Sequence, residues 1–543
     1  MGHVAPRVRA SLTCAILLAA AGCGQQQAGT GSGTSGDPIK AGLVADLRKS
    51  GFDVSPGYAR LYTQQDCKDY TYPKLKNCEA NNPAAPYVVP VVKTWPGEYV
   101  DPAMVNAFGA TRPGYTSSYR LKARDALVLY GRMPPPGRYM GLQTFALGQQ
   151  GHWKTSDYLK WQRTTDVVPM QYLFDTIPPD GRTSDRTQSF SSLGDIVNNV
   201  GMKRQSGHSF DKDRYFIVTP SATTDRAVRR ALQAQGVPAE DIFTEQIPDR
   251  DSHGEIGPLG MGRNALDFFT AFRYALPDPG QEQAAEKWRS NPPMTVMRVR
   301  APASSGPVQR YGPLTYAKRT AHSEAPLAGD MTNLISAVCD RVRSTTNLRA
   351  KDCAHPLPES TKMADPVRDY GWTGPYCRGI NMNCLGDQQD AAYFLAPPLP
   401  LDSGEVYAVV DTLATETGNA TYSALSVNDA SLLAGVANVL DTTLKGSADG
   451  YGKTVRNSGK FFVHYFTRDC AVLRGLPGWP KNCTSISTEL LPSHLDTTAE
   501  GDPALHGKFM TALRDYVKPG TEHGPDSSKL LSPRILTFTQ PGK

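Results

Sequence analysis

An oxygen-rich loop in the last third of the chain has the residue types of a site for a hard cation. Asn381, Asn383, Asp387 and Asp390 place two amide and two carboxylate side chains within ten residues. Calcium takes about six to eight oxygen ligands, so these side chains and nearby backbone carbonyls could furnish a site. Their spacing does not match the EF-hand loop, and a hydrogen-bonded turn explains the same residues. We predict no cofactor, with calcium at this loop as the alternative.

Three arginines lie at rigid turns, where they could bind an anion. Arg132 and Arg138 flank the three prolines at 134–136, and Arg468 stands two positions before Cys470. The planar guanidinium group can hold a carboxylate or a phosphate through two parallel hydrogen bonds. Ion pairs within the fold explain these arginines equally well, so anion binding is one of two interpretations.

Two loops carry residue types that acid–base catalysis uses. Residues 206–211 read Ser-Gly-His-Ser-Phe-Asp, and residues 249–255 combine His253 with three carboxylates. The members of a catalytic triad usually converge from distant segments, whereas each of these sets is local. The sequence has no G-x-S-x-G nucleophile motif and no H-E-x-x-H metal motif. Solvated polar loops are the simpler interpretation, and the sequence leaves open whether the protein is an enzyme.

Eight of the ten cysteines fall into four local couples, and the other two, Cys14 and Cys23, lie in the amino-terminal segment. The couples are Cys67 with Cys78, Cys339 with Cys353, Cys377 with Cys384, and Cys470 with Cys483. Zinc sites need closer cysteine pairs or nearby histidines, and neither occurs at these positions. We therefore predict four structural disulfides, which form in an oxidising compartment outside the cytoplasm.

The amino-terminal segment has the pattern of an export signal. Arg7 and Arg9 precede an apolar run over residues 12–21, which is shorter than the ~20 residues that span a bilayer. The following LLAAAGC, at residues 17–23, resembles the signal of bacterial lipoproteins. The resemblance implies a signal peptide at 1–22, fatty acyl chains such as palmitate on Cys23, and an extracytoplasmic location on a bacterial membrane. Ordinary secretion without lipid is the alternative.

Composition divides the rest of the chain into a linker and a folded body. Residues 23–40 begin with a stretch rich in Gln, Gly, Ser and Thr, which is typical of a flexible linker. We divide the body into two regions, 41–305 and 306–543. The formal net charge is +6, and the basic residues are interspersed with acids, so we expect no nucleic-acid partner.

The middle of the body has a β-α-β pattern. Residues 215–219 form an apolar run of strand length, and a helix capped by Thr223 or Thr224 ends before Gly236. Residues 241–244 form the second strand. The segment between the first strand and the helix lacks the glycines of a phosphate-binding loop, so nucleotide binding is not predicted.

The remaining patterns predict a sheet-rich first part and a sheet-rich last part. We expect paired strands at 125–130 and 139–147, a hairpin from 405–413 and 420–427, and a strand at 461–466. Apolar residues at helical spacing predict helices at 264–276 and 330–342. The predicted fold class is α+β, with the helix-bearing β-α-β unit in the middle and disulfides stabilising the whole.

Two hypotheses about function follow. The first is a membrane-anchored extracytoplasmic lipoprotein that binds a small ligand, a glycan or an envelope protein. The second is an exported hydrolase with a non-standard active site. A buried acid–base pair in a deep pocket that holds His208, His253 or the carboxylates of 387–390 would favour the hydrolase. A groove lined by aromatic rings and single arginines would favour binding.

The lipid attachment is tested by Cys23→Ser in cells fed an alkyne-labelled fatty acid. The wild-type chain is expected to carry the label and to sediment with membranes, because several acyl chains give lasting attachment. The variant is expected to lose both properties. Cys14→Ser, the same substitution inside the signal, serves as the control and should behave as wild type. Equal partitioning of wild type and Cys23→Ser would contradict lipidation and favour secretion.

Overall fold

The computed structural model describes residues 38–75, 78, 82–151, 186–252, 254–354, 356–370, 373–379, 381 and 386–541. These residues form an α+β fold, as the sequence predicts. Their α-helices are α1 (Pro38–Lys49), α2 (Gln64–Asp66), α3 (Tyr72–Leu75), α4 (Asn199–Ser206), α5 (Ala222–Ala234), α6 (Glu282–Ser290), α7 (Ala328–Thr345), α8 (Pro366–Tyr370), α9 (Gly374–Gly379) and α10 (Asp441–Leu444).

The first part of the body is built around one large sheet. Its strands are β1 (Asp53–Leu61), β2 (Tyr87–Lys93), β3 (Tyr115–Thr116), β4 (Ser118–Tyr119), β5 (Asp125–Arg132), β6 (Gly137–Gln150), β7 (Arg186–Ser192), β8 (Val197–Asn198), β9 (Asp213–Thr219), β10 (Ile242–Gln246), β13 (Asp267–Pro277) and β14 (Met294–Arg300), and a separate ribbon pairs β11 (Arg250–Asp251) with β12 (Gly254–Glu255). The main path runs β10-β9-β5-β14-β1-β2-β13-β6-β7.

This sheet curls so that distant strands face each other. Leu129 of β5 and Phe216 of β9 share a core cluster with Leu142 of β6 and Phe272 of β13. Across this cluster the Thr144 hydroxyl donates to the Glu245 carboxyl group at 2.8 Å, joining β6 to β10. The buried hydrogen bond and the apolar cluster together fix the curvature of the sheet.

The predicted β-α-β unit is present. Strands β9 and β10 are parallel, with Ile242 opposite Tyr215, and α5 connects them. The helix cap lies two or three residues before the predicted one, because the Ser221 side chain accepts the amide hydrogen of Thr224 at 3.1 Å. Val228 and Leu232 of the helix pack on the sheet together with α1.

The helix expected at 264–276 is wrong, because this segment forms strand β13. Phe268 and Phe272 lie in the core cluster on one face of the sheet, whereas Phe269 and Ala271 lie in the cluster on the other face. A strand buried on both faces shows no alternation between apolar and polar residues. The unbroken apolar run therefore satisfied the helical spacing without forming a helix.

The expected pairing of the strands at 125–130 and 139–147 is also wrong, although both strands exist. Strand β5 pairs with β14 and β9, and strand β6 pairs with β13, β7 and β8. The prolines at 134–136 have no amide hydrogens for a hairpin ladder. The chain passes there from β5 to β6, and four other strands lie between these two along the path of the sheet.

The second part of the body contains two five-stranded sheets that pack face to face. The first sheet has the order β15-β24-β18-β21-β22, and the second has the order β16-β23-β19-β20 with β17 beside β23. The strands are β15 (Arg349–Ala350), β16 (Ala391–Leu395), β17 (Leu399–Pro400), β18 (Glu405–Thr412), β19 (Tyr422–Asp429), β20 (Ala434–Leu440), β21 (Phe461–Thr467), β22 (Cys483–Ser485), β23 (Lys508–Tyr516) and β24 (Arg534–Thr539).

Alternation along β18 and β21 produces this layered arrangement. Val406 and Val463 point toward α7, the helix predicted at 330–342, and share its core cluster. Val409 and Phe462 point to the other side and pack against the second sheet. The strand predicted at 461–466 is β21, buried between the two layers.

The hairpin expected from 405–413 and 420–427 is wrong. Both strands exist, but β18 pairs with β21 and β24, whereas β19 pairs with β20 and β23. The connection carries the chain from one sheet of the sandwich to the other. Glu324 holds it, accepting hydrogen bonds from Thr417 at 2.7 Å and from Asn419 at 3.0 Å.

Three of the four predicted disulfides are present in the described part of the chain. The α-carbons of Cys67 and Cys78 are 5.6 Å apart, those of Cys339 and Cys353 are 6.1 Å apart, and those of Cys470 and Cys483 are 6.0 Å apart. The fourth predicted pair joins the buried Cys377 of α9 to Cys384, which lies outside the described residues. Each bridge closes a short local loop of the body.

Among the described helices, none is both long enough and apolar enough to cross a bilayer.

The buried Glu245 makes stability depend on pH in a defined direction. Burial raises the pKa of Glu245 from its ordinary 4.5 to about 8, so the folded protein retains a proton that the unfolded chain has released. We compare the free energy of unfolding of wild type with that of Glu245→Gln. As the pH rises from 4.5 to 8, the wild-type value should fall relative to that of the variant, by up to about 1.4 kcal/mol per pH unit. Urea denaturation across this range measures it.

Glu240→Gln, at an exposed position of the same segment, is the control and should run parallel to wild type. A constant difference between wild type and Glu245→Gln would show that the Glu245 carboxyl is not held protonated by the fold.

Candidate functional site

A cavity of about 380 Å³ lies where the large sheet meets the second part of the body. We call it the central cavity. Its lining includes Asn82, Tyr87, Phe145, Phe190 and Arg273 from the first part, and Tyr316, Arg319, Asp365, Asp387, Tyr393 and Arg514 from the second. The volume is within the range that small organic ligands occupy in proteins.

Arg273 of β13 carries a positive charge deep in this cavity. The residue is 4% exposed, and its guanidinium lies over the rings of Tyr87 and Tyr516 at 5.4 and 5.9 Å. Within the described part of the chain, its buried Nη2 has no hydrogen-bond partner. A buried cation without a partner is costly, so the site has an unmet requirement for an anion.

The Asp387 carboxylate lines the cavity and already accepts hydrogen bonds from neighbouring residues. Asp387 accepts the Ser192 amide hydrogen at 2.8 Å and the Ser192 hydroxyl hydrogen at 2.9 Å, and Gln389 donates to it at 3.1 Å. Burial raises the pKa of Asp387, and the hydrogen bonds from Ser192 oppose that shift. This carboxylate therefore links the two parts of the chain, and its oxygens are not available as a general base.

Asp390 lies next to the cavity and is fully buried. Burial raises its pKa, and the charge of Arg273 partly offsets the increase. Neither carboxylate oxygen of Asp390 has a hydrogen-bond partner among the described residues. Asp390 is thus the acidic group whose field reaches Arg273, although the two groups do not form an ion pair.

The oxygen-rich loop does not bring its described side chains to one point. The Asn381 amide accepts a hydrogen bond from Gln149, Asp387 faces Ser192, and Asp390 faces Tyr139. Asn383 lies outside the described residues. Among the described residues, no group of three histidine, cysteine or acidic side chains has the arrangement of a metal site.

The three arginines of the predicted anion sites lie away from the central cavity. Arg132 pairs with Asp211 at 3.0 Å in an exposed position, and Arg138 lies 3.7 Å from the Asp441 carboxylate. Arg468 donates to the carbonyl oxygens of Leu401 and Leu491 at 2.8 Å, and to those of Ile486 and Ser487 at 3.1 and 3.0 Å. The Arg468 side chain thus holds several backbone segments together through their carbonyl oxygens.

The two polar loops also lie apart from the cavity lining. The Ser206 hydroxyl donates to the His208 carbonyl at 2.7 Å, so the two side chains do not form a nucleophile–base pair. Asp251 forms a buried pair with Arg378, with 2.8 Å between Oδ2 and Nε. His253 lies outside the described residues. The described lining of the central cavity includes no histidine.

The imidazole ring of His464 is buried and hydrogen-bonded. Its Nε2 lies 2.8 Å from the Thr484 hydroxyl oxygen, in the strand predicted at 461–466. Burial lowers the pKa of His464 to about 3, so the ring stays neutral. It is a hydrogen-bonded core residue, consistent with its place in an aromatic strand.

Arg273 is the site residue that the sequence patterns missed. It is the one charged residue between Asp267 and Pro277, in a run that is otherwise aromatic, aliphatic or small. A helix would have placed it on a solvent-exposed face, whereas a strand buried on both sides forces it inward. A lone arginine inside an aromatic strand was the signal that could have found it.

The structural role of Arg468 predicts a clear loss of stability in Arg468→Ala. Four backbone carbonyls would lose a charged donor, which should lower the free energy of unfolding by about 1–3 kcal/mol. Arg132→Ala removes an exposed ion pair and is the control, with an expected change within about 0.5 kcal/mol. Urea denaturation followed by circular dichroism measures both. Equal effects would contradict the distinction between the two arginines.

Comparison with known proteins gives little. No family model and no curated protein matches the sequence. Among solved structures, the crystal structure of an uncharacterised protein from Burkholderia cenocepacia is similar over 94% of this chain and 92% of that chain, at 10% identity and a TM-score of 0.34. Nothing about fold or function follows from a similarity at that level.

Proposed function

We propose that the chain is a membrane-anchored extracytoplasmic lipoprotein whose body binds a small organic anion in the central cavity. The observation that carries the binding function is the buried guanidinium of Arg273, whose Nη2 has no hydrogen-bond partner in the described part of the chain. An anionic group of a ligand would supply that partner and offset the cost of burying the charge.

The amino-terminal sequence and the disulfides support the location. The LLAAAGC motif ends at Cys23, and 14 residues, 24–37, separate it from the first described residue of α1. The body contains three disulfides, and such bonds form and persist in an oxidising compartment. A flexible linker of this length would hold the body within a few nanometres of a membrane surface.

The chemistry of the cavity favours binding over hydrolysis. Its aromatic side chains include Tyr87, Phe145 and Phe190, which suit an apolar ligand group. Asp387 is the one carboxylate of the 387–390 segment in the lining, and its oxygens are engaged by Ser192. A hydrolase would need a free base beside a nucleophile, and the described lining pairs no such groups. A few polar groups in an apolar cavity are typical of a binding site.

Fluorescence titration with 8-anilinonaphthalene-1-sulfonate tests the binding function, because this probe combines aromatic rings with one negative charge. Wild type is expected to bind one equivalent saturably. Arg273→Met keeps the length of the side chain but removes the charge, so it should weaken binding about 10- to 100-fold.

Arg132→Met makes the same change on an exposed arginine and should bind as wild type does. Near-ultraviolet circular dichroism checks that Arg273→Met keeps its tertiary packing. Equal affinity in wild type and Arg273→Met, or no saturable binding by wild type, would refute the proposed site.

A further inference from the structure

We propose that the central cavity takes a zwitterionic ligand of the amino-acid type with an aromatic ring, whose ammonium group binds Asp365 while its carboxylate binds Arg273. This inference rests on the proposed function and narrows its ligand to one chemical class.

A second buried charged group of the cavity, the Asp365 carboxylate, lies just before α8 and lacks a hydrogen-bond donor for one of its oxygens. The residue is 2% exposed and lines the central cavity. Its Oδ1 accepts the amide hydrogens of Val367 at 2.9 Å and Arg368 at 3.0 Å, as a helix cap does. Its Oδ2 is buried and accepts no hydrogen bond in the described part of the chain.

The neighbouring arginine does not satisfy this oxygen. The Arg368 guanidinium binds Asp369, with 2.8 Å between Nε and Oδ1, and also donates to the Ser532 hydroxyl at 3.0 Å. Asp365 therefore keeps one carboxylate oxygen that needs a donor. An ammonium group would supply both the donor and the opposite charge.

Arg273 and Asp365 are both more than nine-tenths buried, line the same cavity, and have opposite charges. A ligand with only an anionic group would leave Asp365 unsatisfied, and an amine would leave Arg273 unsatisfied. A zwitterion satisfies both and brings no net charge into the cavity. The cost of leaving a buried polar group unpaired thus selects a ligand with both charges.

The apolar side chains that line the cavity indicate which group the ligand carries besides its two charged groups. The rings of Phe145 and Phe190 are stacked with 4.7 Å between centroids and 7° between planes, and Tyr87 lies in the same lining. Flat aromatic surfaces pack favourably against another ring. The ligand class is therefore an aromatic amino acid or a dipeptide that contains one.

Isothermal titration calorimetry with a matched pair of probes tests the ammonium contact. L-Phenylalanine and 3-phenylpropionate differ only in the ammonium group. Wild type is expected to bind L-phenylalanine, or the dipeptide Gly-Phe if a longer spacing is needed, at least about 10-fold more tightly than 3-phenylpropionate, since a charge-assisted hydrogen bond is gained. 2-Phenylethylamine, which lacks the carboxylate, should bind as weakly as 3-phenylpropionate or more weakly.

Asp365→Asn is the decisive variant, because its amide oxygen can still cap α8 while the charge is lost. It should reduce the affinity for the zwitterion about 10-fold and leave that for 3-phenylpropionate within about twofold. Asp526→Asn is the matched control: Asp526 also lines the cavity, but its Oδ1 accepts hydrogen bonds from the Ser528 amide and hydroxyl. It should change neither affinity by more than about twofold.

The outcomes separate this inference from the proposed function. If 3-phenylpropionate and both zwitterions bind equally and Asp365→Asn has no effect, the zwitterion is refuted, while binding of the sulfonate probe that depends on Arg273 would still support an anion site. An equal loss in Asp365→Asn and Asp526→Asn would refute the assignment of the ammonium group to Asp365. If neither the sulfonate probe nor 3-phenylpropionate binds, the proposed function itself fails.

Discussion

Buried polar contacts between the two parts of the chain are the constraint on which the rest of the structure depends. The Asp387 carboxylate accepts two hydrogen bonds from Ser192, and the Asn82 amide donates to the hydroxyl groups of Tyr422 and Tyr516 at 3.2 and 3.3 Å. Such groups are costly to bury unless they are paired, so each contact admits one relative position of the sheets. Asn82 and Asp387 also line the central cavity, and its shape follows from these contacts.

The same principle separates the charged groups of the cavity into two kinds. Arg319 donates to the carbonyl oxygens of Ala391 and Gln388, both at 2.7 Å, so its charge is part of the wall. Arg273 and Asp365 are more deeply buried than Arg319, and each keeps an atom that no described residue satisfies. Both residues line the central cavity, where a ligand could supply the missing partners.

The errors of sequence-based prediction concern one strand and the pairing of four others, and they have two physical causes. Strand β13 was expected to be a helix, because a run buried on both faces has no alternation to mark it as a strand. The two expected hairpins failed because strands that follow each other in sequence pair with distant strands in the sheets. Pairing between strands depends on contacts across the fold, and a local pattern contains no information about them.

By itself, the sequence determined the features that depend on short stretches of chain. These are the β-α-β unit around α5, the amphipathic helix α7 and three disulfide couples, because each forms within one short continuous segment of the chain. Only the tertiary structure decided the curl of the large sheet, the packing of the sandwich and the placement of Arg273 and Asp365 in the lining of one cavity. Those features arise where residues that are far apart in the sequence pack against each other. The free energy of burial depends on which side chains are in contact, whatever their separation along the chain.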